Sequence, residues 1–80
     1  MNTSAIKVDP TGIDLRIDDV ALHVRLSDGR ELAVPLEWFP RLAVASEESR
    51  RRWRWIAGGV GIHWPDLDED ISIRGLLAGR

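Results

Sequence analysis

The chain has 80 residues, a formal net charge of −2, four tryptophans and no cysteine. A single domain of that size buries only ~60–65% of the surface its unfolded chain exposes, which disfavours an enclosed substrate pocket of roughly 300–1,000 Å³ and favours work done at the surface. The missing cysteine excludes a disulfide framework and a cysteine-rich zinc site, and the acidic balance argues against general polyanion binding.

In chain order, residues 1–17 read as a poorly defined lead-in, with an extended piece at Ile6-Lys7-Val8. Residues 18–79 read as the single domain. Met1 to Ala5 is polar and no apolar stretch follows, so no secretory leader is expected. Val20, Leu22, Val24 and Leu26 alternate with Ala21, His23, Arg25 and Ser27, the period of a half-buried strand. Ser27-Asp28-Gly29-Arg30 predicts a tight turn, because Asp-Gly supplies the positive φ that a hairpin needs. Leu32, Val34 and Leu36 then alternate with Glu31, Ala33 and Pro35 in a return strand. Pro35 lacks an N–H, so it belongs at an edge or a strand end.

Trp38-Phe39-Pro40-Arg41-Leu42 breaks the alternation and predicts a short helical turn, with Pro40 in its first turn. Ser46 predicts the N-cap of a second short helix. Glu47 and Glu48 fall early and Arg50, Arg51 and Arg52 late, which complements the helix dipole. Trp53 to Ala57 alternates again as a strand, Gly58-Gly59 marks a turn, and Val60 to Trp64 is a strand ended by Pro65. Asp66 to Asp70 reads as an acidic loop and Ile71 as one more short pairing. Ser72 caps a last turn or two through Ile73, Leu76 and Leu77. The expected fold is α+β: an antiparallel sheet, formed by the hairpin and two or three further short strands, with one or two short helices. The expected core joins Val20, Leu22, Val24 and Leu26 to Leu32, Val34 and Leu36, with Trp53 or Trp55, Ile62 and Leu76. The uncharged run from Trp55 to Pro65 is too short to span a bilayer, which takes ~20 apolar residues. A cytoplasmic protein with no membrane association is expected.

Several residues invite a chemical role. Asp66, Asp68 and Asp70 have the spacing of the first ligands of a calcium loop, but the glycine and glutamate that such a loop needs are replaced by Ile71 and Leu77. The acids fit a solvated loop that caps the next turn. His23 and His63 fall at the polar phase of their strands. They read as sheet-face histidines that bond locally, His63 with Asp66 or Asp68, and no third ligand or nucleophile accompanies them. Ser46, Ser49 and Ser72 read as cap or helix-surface residues. Arg50, Arg51, Arg52 and Arg54 interleave with Trp53 and Trp55, the one stretch that suggests nucleic acid. A helix C-terminus and strand core explain the same residues. Gly58-Gly59-Val60-Gly61 lacks the Lys-Ser/Thr ending of a phosphate loop. No catalytic residue, metal or cofactor is expected.

Leu26-Ser27-Asp28-Gly29-Arg30, Val34-Pro35-Leu36, Trp38 to Leu42, and the long block from Gly61-Ile62-His63-Trp64-Pro65-Asp66 through Ser72 to Gly79 occur in that order. In these blocks the chain resembles the small prokaryotic family known as domain of unknown function 2442 (DUF2442), over roughly residues 18–79. The resemblance implies a small α+β fold with an antiparallel sheet and no established activity. It also implies a small protein partner encoded by a neighbouring gene, in a toxin–antitoxin-like arrangement. Some members carry a helix-turn-helix domain, which is not expected in these residues. The leading expectation is a non-catalytic interaction module with a protein partner. Its surface would comprise His63, Asp66, Asp68, Glu69 and Asp70, with Arg50, Arg52 and Arg54, and the acids would face an opposite pole of Arg41, Arg50 and Arg52. Two alternatives are a nucleic-acid-associated regulator using Arg50 to Arg54 and a small metal-dependent protein using His63 and the Asp66–Asp70 loop.

Overall fold

The turn at Ser27–Arg30 organises the first half of the chain. Gly29 takes φ +94°, its N–H donates to the Leu26 carbonyl at 3.0 Å, and Leu26 N–H donates to Arg30 at 2.8 Å. The computed structural model describes residues 9–79. On either side of this turn run β2 (Ala21–Leu26) and β3 (Glu31–Pro35), and β1 (Gly12–Ile17) pairs with the other edge of β2. The rows Ile17–Leu22–Val34 and Leu15–Val24–Leu32 cross this antiparallel sheet on one face. Leu22, Val24, Leu26 and Val34 are buried and His23 is only half-buried, so the strand phase follows the alternation. Pro35 closes β3 on an edge strand, where its missing N–H interrupts no ladder.

The chain then makes a 3-10 turn at Leu36–Trp38 and two short helices, α1 (Pro40–Ala43) and α2 (Glu47–Arg51). Ser46 caps α2 by accepting the Ser49 N–H. Glu47–Arg51 and Glu48–Arg52 pair one turn apart. A second antiparallel sheet follows, built of β4 (Arg54–Ile56), β5 (Gly61–Trp64) and β6 (Glu69–Ser72), and α3 (Ile73–Leu77) ends the described chain. The inner faces of both sheets and the helical residues Leu42, Ile73 and Leu76 form one core, in which Trp64 and Ile62 are fully buried. The architecture is α+β, with two three-stranded antiparallel sheets and three short helices among the described residues.

Four sequence expectations are corrected. Residues 12–17, read as lead-in, form an edge strand; Ile6-Lys7-Val8 lies outside the described residues. The expected single sheet is two sheets. The expected loop over Asp66 to Asp70 is a 3-10 turn at Pro65–Leu67 followed by β6. Val20, expected in the core, is 72% exposed. β2 begins only at Ala21, because Asp18 Oδ1 accepts the N–H groups of both Val20 and Ala21, at 2.9 and 2.8 Å. Val20 therefore belongs to a turn, where strand alternation does not apply.

The two sheets meet at a glycine contact. Gly12 N–H donates to the Gly59 carbonyl at 2.7 Å. A Cβ on Gly59, at φ +109°, would lie 2.5 Å from the Gly12 carbonyl oxygen, and a Cβ on Gly12 would lie 2.5 Å from the Trp55 ring. Two backbones and an indole approach this closely only because neither position carries a side chain.

Candidate interaction surface

The register of the second sheet sets Arg54 opposite His63 and His63 opposite Asp70. Directly opposed residues of antiparallel strands share a face. The next row, Trp55–Ile62–Ile71, points the other way into the core. The outer face thus carries a cation, an imidazole and a carboxylate in one line. His63 Nδ1 bonds the Asp70 carboxylate, and the His63 side chain is 22% exposed against 68% for Asp70. Asp70 orients the ring; His63 Nε2 makes no bond to another side chain among the described residues. The row offers a donor, an acceptor and a group that serves as either.

The rest of the signature block lies elsewhere. Asp66 accepts from Arg52 Nη1 at 3.0 Å and from Ser49 Oγ at 3.4 Å. Arg52 also holds Glu48 at 2.5 Å. Asp68 adopts φ +51° at the end of the 3-10 turn, and its carbonyl accepts from Arg41 Nη1 at 2.7 Å. Glu69 opens β6 opposite Trp64 and is half-buried. Arg50 is committed inward: its Nε donates to the Leu42 carbonyl at 3.0 Å and its Nη2 to the Ala43 carbonyl at 2.7 Å. Its own carbonyl accepts the Trp64 indole N–H at 3.0 Å. The expected opposite pole is corrected accordingly. Arg41 and Arg52 sit on the acidic segment itself, and Arg50 donates to the last two carbonyls of α1, where a helix runs out of intrahelical donors.

The two histidines lie in different sheets, on β2 and β5. His63 pairs with Asp70 rather than Asp66 or Asp68, and His23 Nε2 lies 2.8 Å from Asp18 Oδ2. Asp18 is a node that alternation alone does not reveal, although an Asp just before a strand is an Asx-turn signal. Bonds from the Val20 N–H, then from His23, then from the Ala21 N–H lower its pKa to about 2. The Arg30 side chain and N–H likewise hold the Asp28 carboxyl below its ordinary value.

Asp66, Asp68 and Asp70 diverge to separate partners, and no three His, Asp or Glu among the described residues group as a metal ion requires. The serines are spent on structure: Ser46 and Ser72 cap α2 and α3, and Ser49 donates to Asp66. The cap on α3 was expected from the acids of the block as well, but the Ser72 oxygen takes that place, accepting from Gly75 N–H at 2.9 Å. Of Arg50, Arg51, Arg52 and Arg54, only Arg54 makes neither an ion pair nor a side-chain hydrogen bond among the described residues. No helix among the described residues is long and apolar enough to cross a membrane.

This fold is similar to that of a protein of unknown function from Rhodospirillum rubrum ATCC 11170, known from a crystal structure. It is 31% identical with a TM-score of 0.77, over 90% of this chain and 89% of that one. It is also similar to an uncharacterised protein from Chromobacterium violaceum, known from a solution NMR structure. There the identity is 28% and the TM-score 0.70, over 88% of this chain and 66% of that one. No curated protein matches the chain. The family model described as a protein of unknown function, DUF2442, matches residues 13–80, from the first strand onward, and the chain belongs to that family.

Proposed function

We propose that the chain is a non-catalytic interaction module, acting in the cytoplasm as the regulatory or antitoxin-like partner of a small neighbouring gene product. The supporting observation is the two-sided construction of β4–β6. Trp55, Ile62, Trp64 and Ile71 anchor one face in the core, and the other face presents Arg54, His63 and Asp70 in register. A rigid sheet that displays alternating charge orients a partner and steers its approach. Ser46, Ser49 and Ser72 have structural roles, so among them no free nucleophile accompanies the carboxylate-oriented His63, which fits binding better than nucleophilic catalysis. The nucleic-acid alternative is less well supported, because Arg50, Arg51 and Arg52 are already engaged. The metal alternative is less well supported because the three aspartates diverge.

Co-expression with the adjacent gene product tests the proposal. The neighbour should co-purify, and its effect on growth should be relieved. Arg54→Glu combined with Asp70→Lys, both at exposed positions, should leave the melting temperature within a few degrees of wild type and abolish co-purification. A wild-type chain that neither captures the neighbour nor alters its effect on growth would refute the proposal.

A further inference from the structure

We infer that the apolar groove at the outer face of the first sheet docks a partner-protein segment that carries a branched or aromatic apolar side chain between basic residues. This rests on the reading of the chain as an interaction module, and gives it a second surface built from other elements than β4–β6. The groove, of about 620 Å³, is lined by Val20, Ala21, Ala33 and Pro35 and rimmed by Asp19 and Glu37.

Its origin lies in the outer-face rows of the sheet. At one end, Asp14–Arg25–Glu31 and Arg16–His23 set long polar side chains side by side. At the other, Ala21 opposes Pro35, and Ala33 lies beside them. The step from long side chains to short ones leaves a hollow. Val20 stands at its lip, 72% exposed. It is held there by its N–H to Asp18 Oδ1 and by its carbonyl, which accepts from Leu36 N–H at 2.9 Å. Turning Val20 into the core would break both bonds. Trp38 and Val44, 46% and 86% exposed, directly follow the lining residues Glu37 and Ala43 in sequence. Exposed apolar residues grouped in this way mark contact sites.

Charge selects the occupant. Both charged residues of the groove are acids, and neither Asp19 nor Glu37 makes an ion pair among the described residues. An anionic rim repels phosphate, whether on nucleic acid or lipid. It also repels a second copy of itself, since the two rims would meet like against like. A basic-flanked apolar segment satisfies both the floor and the rim.

The test is an amide-shift titration of the isotope-labelled full chain with three capped peptides. One carries an Ile-Leu pair between Lys-Arg flanks, one the same pair between Glu-Glu flanks, and one a Ser-Ser pair between Lys-Arg flanks. The first should give saturable shifts centred on Val20, Ala21 and Ala33, with an affinity ~10-fold or more above the other two. Val20→Ser and Glu37→Lys, at exposed positions, should keep the wild-type melting temperature and each weaken binding about tenfold. Glu37→Lys should also narrow the preference for basic over acidic flanks. Equal binding of the acid-flanked peptide, shifts centred on another face, or no saturable shift at millimolar peptide would overturn the inference. A chain that captures the neighbouring gene product but shows no groove shifts keeps the interaction proposal and loses this one. A chain that binds the basic-flanked peptide but not the neighbour does the reverse.

Discussion

The two sheets have the same number of strands and the same antiparallel order, yet they are held together differently. In the first, strands of five or six residues flank a tight turn closed by its own hydrogen bonds and by the Asp28–Arg30 contact. In the second, strands of three or four residues are set by groups far away in sequence. Trp64 is fully buried and donates to Arg50, Gly59 holds Gly12, and Val60 accepts from Ile73 N–H at 2.9 Å. Short ladders supply few hydrogen bonds of their own, so the second sheet depends on its clamps. That dependence predicts where substitutions hurt.

Trp64→Ala should have the largest effect, ~3–5 kcal/mol, enough to unfold a domain this small, as read by urea denaturation. Leu22→Ala, equally buried in the first sheet, should cost roughly 2–4 kcal/mol. If Leu22→Ala were the more damaging of the two, the contrast between the sheets would be inverted.

The glycines sharpen the same comparison. Gly59→Ala meets both a positive φ and the Gly12 carbonyl oxygen, and should cost ~2–3 kcal/mol. Gly29 also has a positive φ, but a Cβ there has nothing within 4 Å. Gly29→Ala should therefore cost only about 1 kcal/mol. Equal melting temperatures for the two variants would show that the contact between the sheets contributes nothing.

Arg50 and Arg51 are neighbours with different tasks. Arg50→Met removes the donors to the Leu42 and Ala43 carbonyls and should cost ~1–3 kcal/mol. Arg51→Met removes only an exposed pair with Glu47 and should stay within about 0.5 kcal/mol of wild type. Denaturant midpoints of the two single variants decide the matter.

Acid reports on the first sheet. Asp18 has a folded pKa of about 2 against an ordinary value of 3.8, so its folded state favours the carboxylate. The stability it contributes is present above the ordinary value and is lost as pH falls through about 2. A carboxyl NMR titration should place the Asp18 midpoint near 2, and Asp18→Asn should flatten the pH dependence of the denaturation midpoint across that window. A midpoint at the ordinary value would mean that the turn bonds are not formed in solution.

Asp68→Asn should have the smallest effect, within about 0.5 kcal/mol. Asp68 sits at φ +51°, a conformation that asparagine also tolerates, and its backbone carbonyl, not its carboxylate, holds Arg41. A larger loss would give the carboxylate a structural role and weaken the contrast with Trp64.

The legible parts of the chain were those governed by neighbours in sequence. Alternation identified the inner face of β2 and β3, Asp28-Gly29 the turn between them, Ser46 and Ser72 the helix caps, and Pro65 the end of β5. Two local signals misled. Val20 keeps the strand period but lies in a turn made by the Asp18 side chain. Four acids within five residues read as a loop, although Asp70 and Ile71 pair with β5. β1 was missed although Ile13, Leu15 and Ile17 alternate with Asp14 and Arg16 at the period of a strand; its register shifts between Gly12 and Asp14, and Ile13 there is exposed. The candidate surface was legible as a set of residues but not as an arrangement. The sequence named His63, Asp70 and Arg54, but only strand register put them in one row.

By itself, then, the sequence determined strand phase, turn and cap chemistry, the α+β class and the family, because each rests on the spacing of residues along the chain. Tertiary structure alone decided that the strands divide into two sheets and that Gly12 and Gly59 close on one another. It also decided that Arg50 turns inward while Arg54 makes no ion pair among the described residues, and that Val20 is left in solvent beside a groove. The physical reason is that charge pairing, carbonyl capping and close backbone approach depend on distances between segments many residues apart, which local periodicity does not encode.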